Sequence, residues 1–325
     1  MKPNIVILRV FATISVVLFH ALGYYTYSWP FDGVKVNGYH YYDVFINKIN
    51  MPLFVCLSGY LYQSKTHEDR YTKFSLFIKN KFLRLIVPYL FWGLLQLLIF
   101  PATTNLSMMY TGVLHLWFLL MMFILFVIMW PLRRWTSNAP FLIVLLILTI
   151  IIDPLIKWTN ILCIGAVAHF FPFFLIGMLL PKLKKRNISL ILNTITLIFG
   201  TIILAMTTYY YNPTPSYIIR ISESICICLI LLSLFKTIDS IPSSNQLAST
   251  IIVQSINKNS YGIYILHHIV IWGAVQSPIL KTIMDSNIYV PPVFLFFTSF
   301  ALSWFVSSTL RKNKYTKIVL GEIKR

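Results

Sequence analysis

Apolar runs of about 20 residues recur along the whole chain and constrain its fold more than any other feature. The hydrocarbon core of a bilayer is roughly 30 Å thick, and about 20 helical residues are needed to cross it. A backbone in lipid must satisfy its own hydrogen bonds, so each run is predicted to be a helix. Only 11% of the 325 residues are charged, against about a quarter in soluble domains. We therefore predict an all-α polytopic membrane protein.

The runs predict ten transmembrane spans, and they leave no room for a separate soluble domain, so residues 1–325 are expected to form one domain. The first run contains Arg9 and His20 and is followed by no small-residue cleavage site, so we interpret it as an uncleaved span. Prolines and polar segments separate the runs. The predicted spans lie near 5–25, 45–62, 82–100, 114–130, 141–152, 161–180, 188–208, 218–236, 258–276 and 290–310.

The distribution of basic residues predicts the orientation of these spans. If the N-terminus is cytoplasmic, 21 of the 27 Lys and Arg residues fall on the inner side, five fall outside, and Arg9 lies within the first span. This asymmetry follows the positive-inside rule and predicts that both termini are cytoplasmic. The formal net charge of +18 therefore indicates topology and contact with anionic lipid, and nucleic acid is excluded as a partner.

Arg9 and His20 are the most informative polar residues, because a charged side chain within a span marks a functional site. They are eleven residues apart. At about 100° and 1.5 Å per residue, they share a helix face and are separated by roughly 16 Å along its axis. The alternative is that Arg9 extends to the interface while His20 is a packing residue.

Other histidines in the spans are weaker candidates. His115 begins the fourth predicted span, and the adjacent His267 and His268 lie in the ninth. We expect only one of these two neighbours to face a shared cavity. His169, in the sixth span, is expected to pack or to form a hydrogen bond between helices.

Three further patterns concern acidic, basic and sulfur-containing side chains. Glu223 either faces a cavity or pairs with Arg220, one turn earlier. Lys79, Lys81 and Arg84 precede the third span as interfacial anchors or, with Arg9, as a cationic mouth for an anionic cytosolic ligand. The four cysteines have no disulfide or metal-ligand spacing and are predicted to be small buried residues. They are Cys56, Cys163, Cys226 and Cys228.

Short segments that cover most of the chain follow one another in a recognisable order. On these segments the sequence resembles the membrane-bound acyltransferase family 3, a group of ten-span O-acyltransferases. The segments are Leu8-Arg9-Val10-Phe11-Ala12, Val17-Leu18-Phe19-His20-Ala21, Met51-Pro52-Leu53-Phe54, Ser58-Gly59-Tyr60, Lys81-Phe82-Leu83-Arg84-Leu85, Pro88-Tyr89, His115-Leu116-Trp117-Phe118-Leu119, Phe173-Phe174-Leu175-Ile176-Gly177 and Tyr261-Gly262-Ile263-Tyr264-Ile265-Leu266-His267.

The resemblance implies roles for individual residues. His20 and Arg9 would be catalytic, and Arg9, Lys81 and Arg84 would bind the acyl donor. Lys81 stands where the family has the first Arg of an Arg-x-x-Arg motif, which keeps the charge and loses the bidentate fork. Weaker expectations for residues lining the cavity are Ser58, His115, Tyr264, His267 and Glu223.

The expected reaction transfers an acyl group, most often acetyl, from cytosolic acyl-CoA to a hydroxyl of an envelope polysaccharide, glycolipid or similar acceptor. A neutral His20 is expected to act as the base or to carry the acyl group itself. No metal or permanently bound cofactor is expected, and acyl-CoA is a co-substrate. Many relatives have an additional esterase-like extracytoplasmic domain, so any second acyl-handling step here would need a separate extracytoplasmic partner enzyme. The implied location is the bacterial plasma membrane.

The competing class is an exporter of a glycan or small solute that performs no chemistry. Transporters often consist of related halves, and residues 1–160 and 161–325 show no convincing similarity to each other. An inactive scaffold is less favoured because Arg9 and His20 are both present. The aromatic segment 26–44 indicates either stacking on sugars or an interfacial belt.

Overall fold

The computed structural model describes residues 2–26, 33, 36–66, 68–156, 161–182, 190–209 and 217–322. Within these residues the chain forms helices and turns and no strand. The helices are α1 (Pro3–Leu22), α2 (Asn37–Gln63), α3 (Asp69–Thr72), α4 (Phe74–Lys81), α5 (Val87–Ile99), α6 (Met108–Thr111), α7 (Trp117–Leu132), α8 (Ala139–Ile152), α9 (Ile164–Leu179), α10 (Leu190–Tyr209), α11 (Tyr217–Ser240), α12 (Ser244–Ser249), α13 (Ile251–Gln276), α14 (Pro278–Ser286) and α15 (Val290–Leu310).

The helices confirm an all-α polytopic membrane protein. In the described ranges, eight helical segments are long and apolar enough to cross a membrane, and α13 with α14 adds a ninth that bends by 84°. The shorter apolar helix α8 occupies the position of the fifth predicted span. These ten elements lie at the ten predicted positions.

A π-helical turn at Phe82–Ile86 joins α4 to α5 within one span. Pro88 follows it and has no N–H, so it cannot donate to the carbonyl of Arg84 four residues earlier. That carbonyl instead accepts a hydrogen bond from the Tyr261 hydroxyl of α13 at 2.7 Å. The missing backbone bond therefore becomes a contact between two helices.

The two ends of the described chain lie at the same end of the bundle. Near the start of α1, Arg9 bonds Asn257 of α13. Beyond α15, a short turn at Thr316–Leu320 packs against α5, where the indole of Trp92 donates to the carbonyl of Val319 at 2.8 Å. This arrangement agrees with the even number of spans predicted from the sequence. Which side of the membrane this end faces remains a prediction.

Two glycines allow α2 and α9 to pack backbone against backbone. A Cβ at Gly59 would lie 2.1 Å from the carbonyl oxygen of Phe174, and one at Gly177 would lie 2.0 Å from that of Cys56. Small residues are favoured at such contacts because helices in lipid associate through close packing. This contact fixes which face of α2 packs on α9 and leaves the face that carries Phe54 free to contact Tyr264 of α13.

We predict that Gly177→Ala lowers stability by about 3 kcal/mol, because the added methyl must push α2 and α9 apart. The measurement is the apparent melting temperature of the purified protein in detergent. Gly273→Ala in α13 is the matched control, because nothing lies within 4 Å of a Cβ there. Equal melting temperatures for the two variants would show that the α2–α9 contact is looser than described.

Candidate active site

Four histidines meet near one end of α1 and form the histidine cluster: His20, His115, His267 and His268. The ring centroid of His20 lies 4.9 Å from that of His267, 5.0 Å from His268 and 6.0 Å from His115. The rings of His115 and His268 stack at 4.6 Å. The residues come from α1, from the turn at Leu114–Leu116 and from α13, so only the packing of the helices unites them.

The expectation that only one of His267 and His268 faces a shared site is wrong. Adjacent residues on a helix point about 100° apart. His20 of α1 and His115 of the turn before α7 lie between these two directions. Each of them contacts both His267 and His268. His268 was therefore missed as a site residue, although the His-His pair in the sequence was a usable signal.

Hydrogen bonds fix the tautomer of His20. Its Nδ1 lies 2.9 Å from the carbonyl of Val16 and 3.1 Å from Nε2 of His267. A carbonyl can only accept, so in the neutral ring Nδ1 carries the proton. Nδ1 of His267 likewise donates to the carbonyl of Ile263 at 2.9 Å, which leaves its Nε2 as an acceptor for His20.

These bonds leave Nε2 of His20 with its lone pair and no hydrogen bond from any described residue. His20 is also partly exposed, whereas His115, His267 and His268 are at most 4% exposed. An imidazole with Nδ1–H held by an acceptor and Nε2 free is arranged to take a proton. Among the four histidines, His20 is therefore the one whose free ring nitrogen is best placed to accept a proton.

His115 is held by α13 from two directions. The Tyr264 hydroxyl donates to its backbone carbonyl, and its Nε2 lies 3.1 Å from the carbonyl of Ile265. The preceding turn has left-handed backbone at Gly112 (φ 106°) and at Leu114 (φ 41°). The second value is unfavourable for a residue with a branched side chain, and such strain is found where surrounding contacts fix a functional side chain.

Ser58 lies on the face of α2 that approaches the cluster. Phe54, one turn away, has its ring 6.3 Å from Tyr264 and 6.2 Å from Phe118. The Ser58 hydroxyl donates to the carbonyl of Phe54 at 2.9 Å. The structure thus brings His115 and His267, with Tyr264 against His115, to the surroundings of His20. Among the described residues the Ser58 hydroxyl bonds only Phe54, so the place of Ser58 in the cavity remains a prediction.

Arg9 and Arg84 form a cationic end of the site. Arg9 shares a helix face with His20, as predicted, because both contact α13: Arg9 bonds Asn257 at 3.4 Å and His20 contacts His267. Asn257 and Tyr261, one turn apart on α13, contact Arg9 and the backbone carbonyl of Arg84, so the two arginines lie at the same level of the bundle. Neither has a carboxylate at ion-pair distance among the residues placed by the structure. Two neighbouring, unneutralised guanidinium groups favour an anion.

The ammonium group of Lys81 lies among aromatic rings. Its ammonium lies 3.4 Å from the ring centroid of Phe126 and within 5.5 Å of those of Tyr71 and Phe77. Such cation–π contacts stabilise a lysine among aromatic side chains. Arg84 lies within the π-helical turn that begins directly after Lys81. A direct role of Lys81 in donor binding remains a prediction.

Glu223 lies at the contact of α2 with α11, where it pairs with Lys48 at 2.6 Å. The predicted pair with Arg220 is wrong, because Arg220 bonds Asp153 at 3.4 Å. Asp153 also contacts Nδ1 of His169 at 3.1 Å, which confirms a hydrogen bond between helices for that histidine. Partners on other helices outcompete the local pair.

Several remaining predictions have simple outcomes. All four cysteines are buried free thiols, as predicted. In the described ranges no group of His, Cys, Asp and Glu has the geometry to hold a metal ion. In the aromatic segment, Tyr27, Trp29 and Phe31 lie outside the described residues, while the ring of Tyr41 stacks on Tyr209 at 5.3 Å.

The fold and this site define a polytopic helical membrane protein with a polar centre enclosed by its helices. A family model described as an acyltransferase domain, that of acyltransferase family 3, matches residues 3–315. The chain therefore belongs to the membrane-bound acyltransferase family 3 and is a membrane acyltransferase. Comparisons with curated proteins and with solved structures found no match.

We predict that Tyr264→Phe lowers stability by about 1–2 kcal/mol, because the buried carbonyl of His115 loses its donor. The apparent melting temperature in detergent measures the effect. Tyr60→Phe is the control, since Tyr60 is also buried and its ring stacks on Phe235. Unchanged stability of Tyr264→Phe would mean that this hydrogen bond does not hold His115.

Proposed function

We propose that the protein transfers an acyl group, most often acetyl, from cytosolic acyl-CoA to a hydroxyl of an envelope polysaccharide, glycolipid or similar acceptor. Membership of an acyltransferase family supports acyl transfer. The observation that carries the proposal is the free Nε2 of His20 within an otherwise buried histidine cluster. The proposed setting is a bacterial plasma membrane with both termini cytoplasmic.

In the proposed reaction, the acceptor hydroxyl attacks the carbonyl carbon of the thioester while Nε2 of His20 takes its proton. The tetrahedral intermediate then collapses, the C–S bond breaks, and the CoA thiolate leaves with the proton from His20. The products are the acyl ester and free CoA. A route in which Nε2 first accepts the acyl group uses the same atom and predicts an acylated protein when acceptor is omitted.

The donor fits the cationic end of the site. CoA carries phosphate groups, which arginine binds through charge-assisted hydrogen bonds. Arg9 lies eleven residues before His20 on α1, which is roughly 16 Å along the axis. The extended pantetheine arm of CoA can span such a distance from its phosphates to its thioester. The donor would thus reach His20 from the end of the bundle where both chain ends lie.

We predict that His20→Gln reduces acyl transfer by at least about 100-fold, because glutamine cannot act as the base. The measurement is transfer of radiolabelled acetyl from acetyl-CoA into an envelope fraction by membranes that contain equal amounts of protein. His169→Gln is the control, since His169 lies with Asp153 outside the histidine cluster.

Transfer by His20→Gln at the wild-type rate would overturn the assignment of His20. If the wild-type protein itself transfers no acyl group from acetyl-, succinyl- or longer-chain CoA, the proposed reaction is wrong. Solute movement in vesicles would then support the exporter.

We predict that Arg84→Ala raises KM for acyl-CoA by roughly tenfold or more with little change in kcat, because a charge-assisted contact to phosphate is lost. The backbone bond from Tyr261 to residue 84 does not require the arginine side chain. Initial rates at varied acyl-CoA concentration provide the test. Arg134→Ala is the control, because Arg134 is an exposed basic residue in the loop between α7 and α8. An unchanged KM would place the donor elsewhere.

A further inference from the structure

Three buried polar groups near the histidine cluster have no hydrogen-bond partner among the described residues. They are Nδ2 of Asn50, both ends of the Gln96 carboxamide, and Nδ1 of His115. Asn50 and Gln96 are both 0% exposed, and His115 is 4% exposed. A buried carboxamide without partners costs free energy, so such groups are typical of positions where a ligand supplies the missing bond.

The register of α2 places Asn50 beside the cluster. Asn50 precedes Phe54 by one turn, and Phe54 contacts Tyr264 of α13 at 6.3 Å. α2 and α13 run antiparallel. One turn before Phe54 on α2 is therefore level with one turn after Tyr264 on α13, so Asn50 and His268 lie at the same depth. The α9-facing side of α2, marked by Gly59, lies on the other side of that helix.

The chemistry of Asn50 is fixed by its neighbour. Its Oδ1 accepts from the backbone N–H of Met51 at 2.6 Å, so Nδ2 is the free end and can only donate. A donor fixed at the depth of His20 suits the carbonyl oxygen of the acyl group, which becomes negatively charged when the hydroxyl attacks. Donors of this kind stabilise the charge that develops in the transition state.

The register of α5 places Gln96 at the same depth from another side. The ring centroids of Phe100 and Trp272 are 6.2 Å apart. Gln96 precedes Phe100 by one turn on α5, and His268 precedes Trp272 by one turn on α13. The two helices run parallel, so Gln96 and His268 lie at the same depth. On the same face of α5, Gly93 packs against Val113, two residues before His115. Gln96 can both donate and accept, as a hydroxyl group can, so its carboxamide matches the acceptor hydroxyl.

We infer that Asn50 and Gln96 form the polar wall of the acyl-transfer centre, with Asn50 binding the acyl carbonyl oxygen and Gln96 binding the acceptor hydroxyl. This inference rests on the proposed function and adds two residues that no motif in the sequence indicated. The centre is then bounded by α1, α2, α5, the turn before α7, and α13. Within this centre His20 is the one partly exposed histidine of the cluster.

The test compares Asn50→Asp, Asn50→Leu and Gln96→Leu with Gln63→Leu in the acetyl-CoA assay. Gln63 is the matched control: it is a buried carboxamide with an unpartnered oxygen on α2. It lies thirteen residues from Asn50, about 20 Å along the helix. Asn50→Leu removes the donor without adding a charge, and Asn50→Asp keeps the shape but replaces the amide by a carboxyl group. Equal amounts of each variant in the membrane separate catalysis from folding.

Both Asn50 variants are expected to lower kcat by roughly 100-fold or more with little change in KM for acyl-CoA. Gln96→Leu is expected to raise KM for the acceptor by roughly five- to tenfold. Kinetics of Asn50→Leu and Gln96→Leu that match Gln63→Leu, while His20→Gln is inactive, would overturn this inference and leave the proposed function intact. A wild-type protein without acyl transfer would overturn both.

Discussion

The contact between α1 and α13 sets the positions of the arginine and the three histidines on which the rest of the proposed site is built. At one end Arg9 bonds Asn257, and further along His20 contacts His267 and His268. A helix that carries an arginine and a histidine on one face is unstable in lipid unless that face is covered. α13 covers it with amides and imidazoles, so the pairing of these two helices satisfies the costly groups and aligns them along one path.

The surrounding contacts follow from the scarcity of water at this depth. A backbone or side-chain polar group that lacks its usual partner must find another within the protein. Pro88 deprives the carbonyl of Arg84 of its usual donor, and Tyr261 replaces it. The strained turn before α7 delivers His115 to α13, where Tyr264 and the carbonyl of Ile265 hold it. These replacement hydrogen bonds link α13 to the turn before α5 and to the turn before α7.

Polar groups that have no partner among the described residues are candidates for ligand binding for the same reason. Away from the cluster, Asp153 contacts His169 and pairs with Arg220, and Glu223 pairs with Lys48. These acidic and basic groups therefore have partners of opposite charge or hydrogen-bonding character. Arg9, Arg84, Asn50 and Gln96 are not satisfied in this way by the described residues. In the proposed site the two arginines lie at the cationic end, and Asn50 and Gln96 lie at the depth of His20, so these groups occupy the two ends of the proposed path for a long anionic donor.

The sequence by itself determined the ten helical elements, the shared face of Arg9 and His20 and the family, because apolar length, helical periodicity and motif order are local properties. It did not determine that His267 and His268 both join His20, that Glu223 selects Lys48, or that Lys81 lies among aromatic rings. Those outcomes depend on which helices become neighbours and at what register. Only the tertiary structure decides this, because a polar group in the bilayer takes whichever partner the packing of other helices brings within reach.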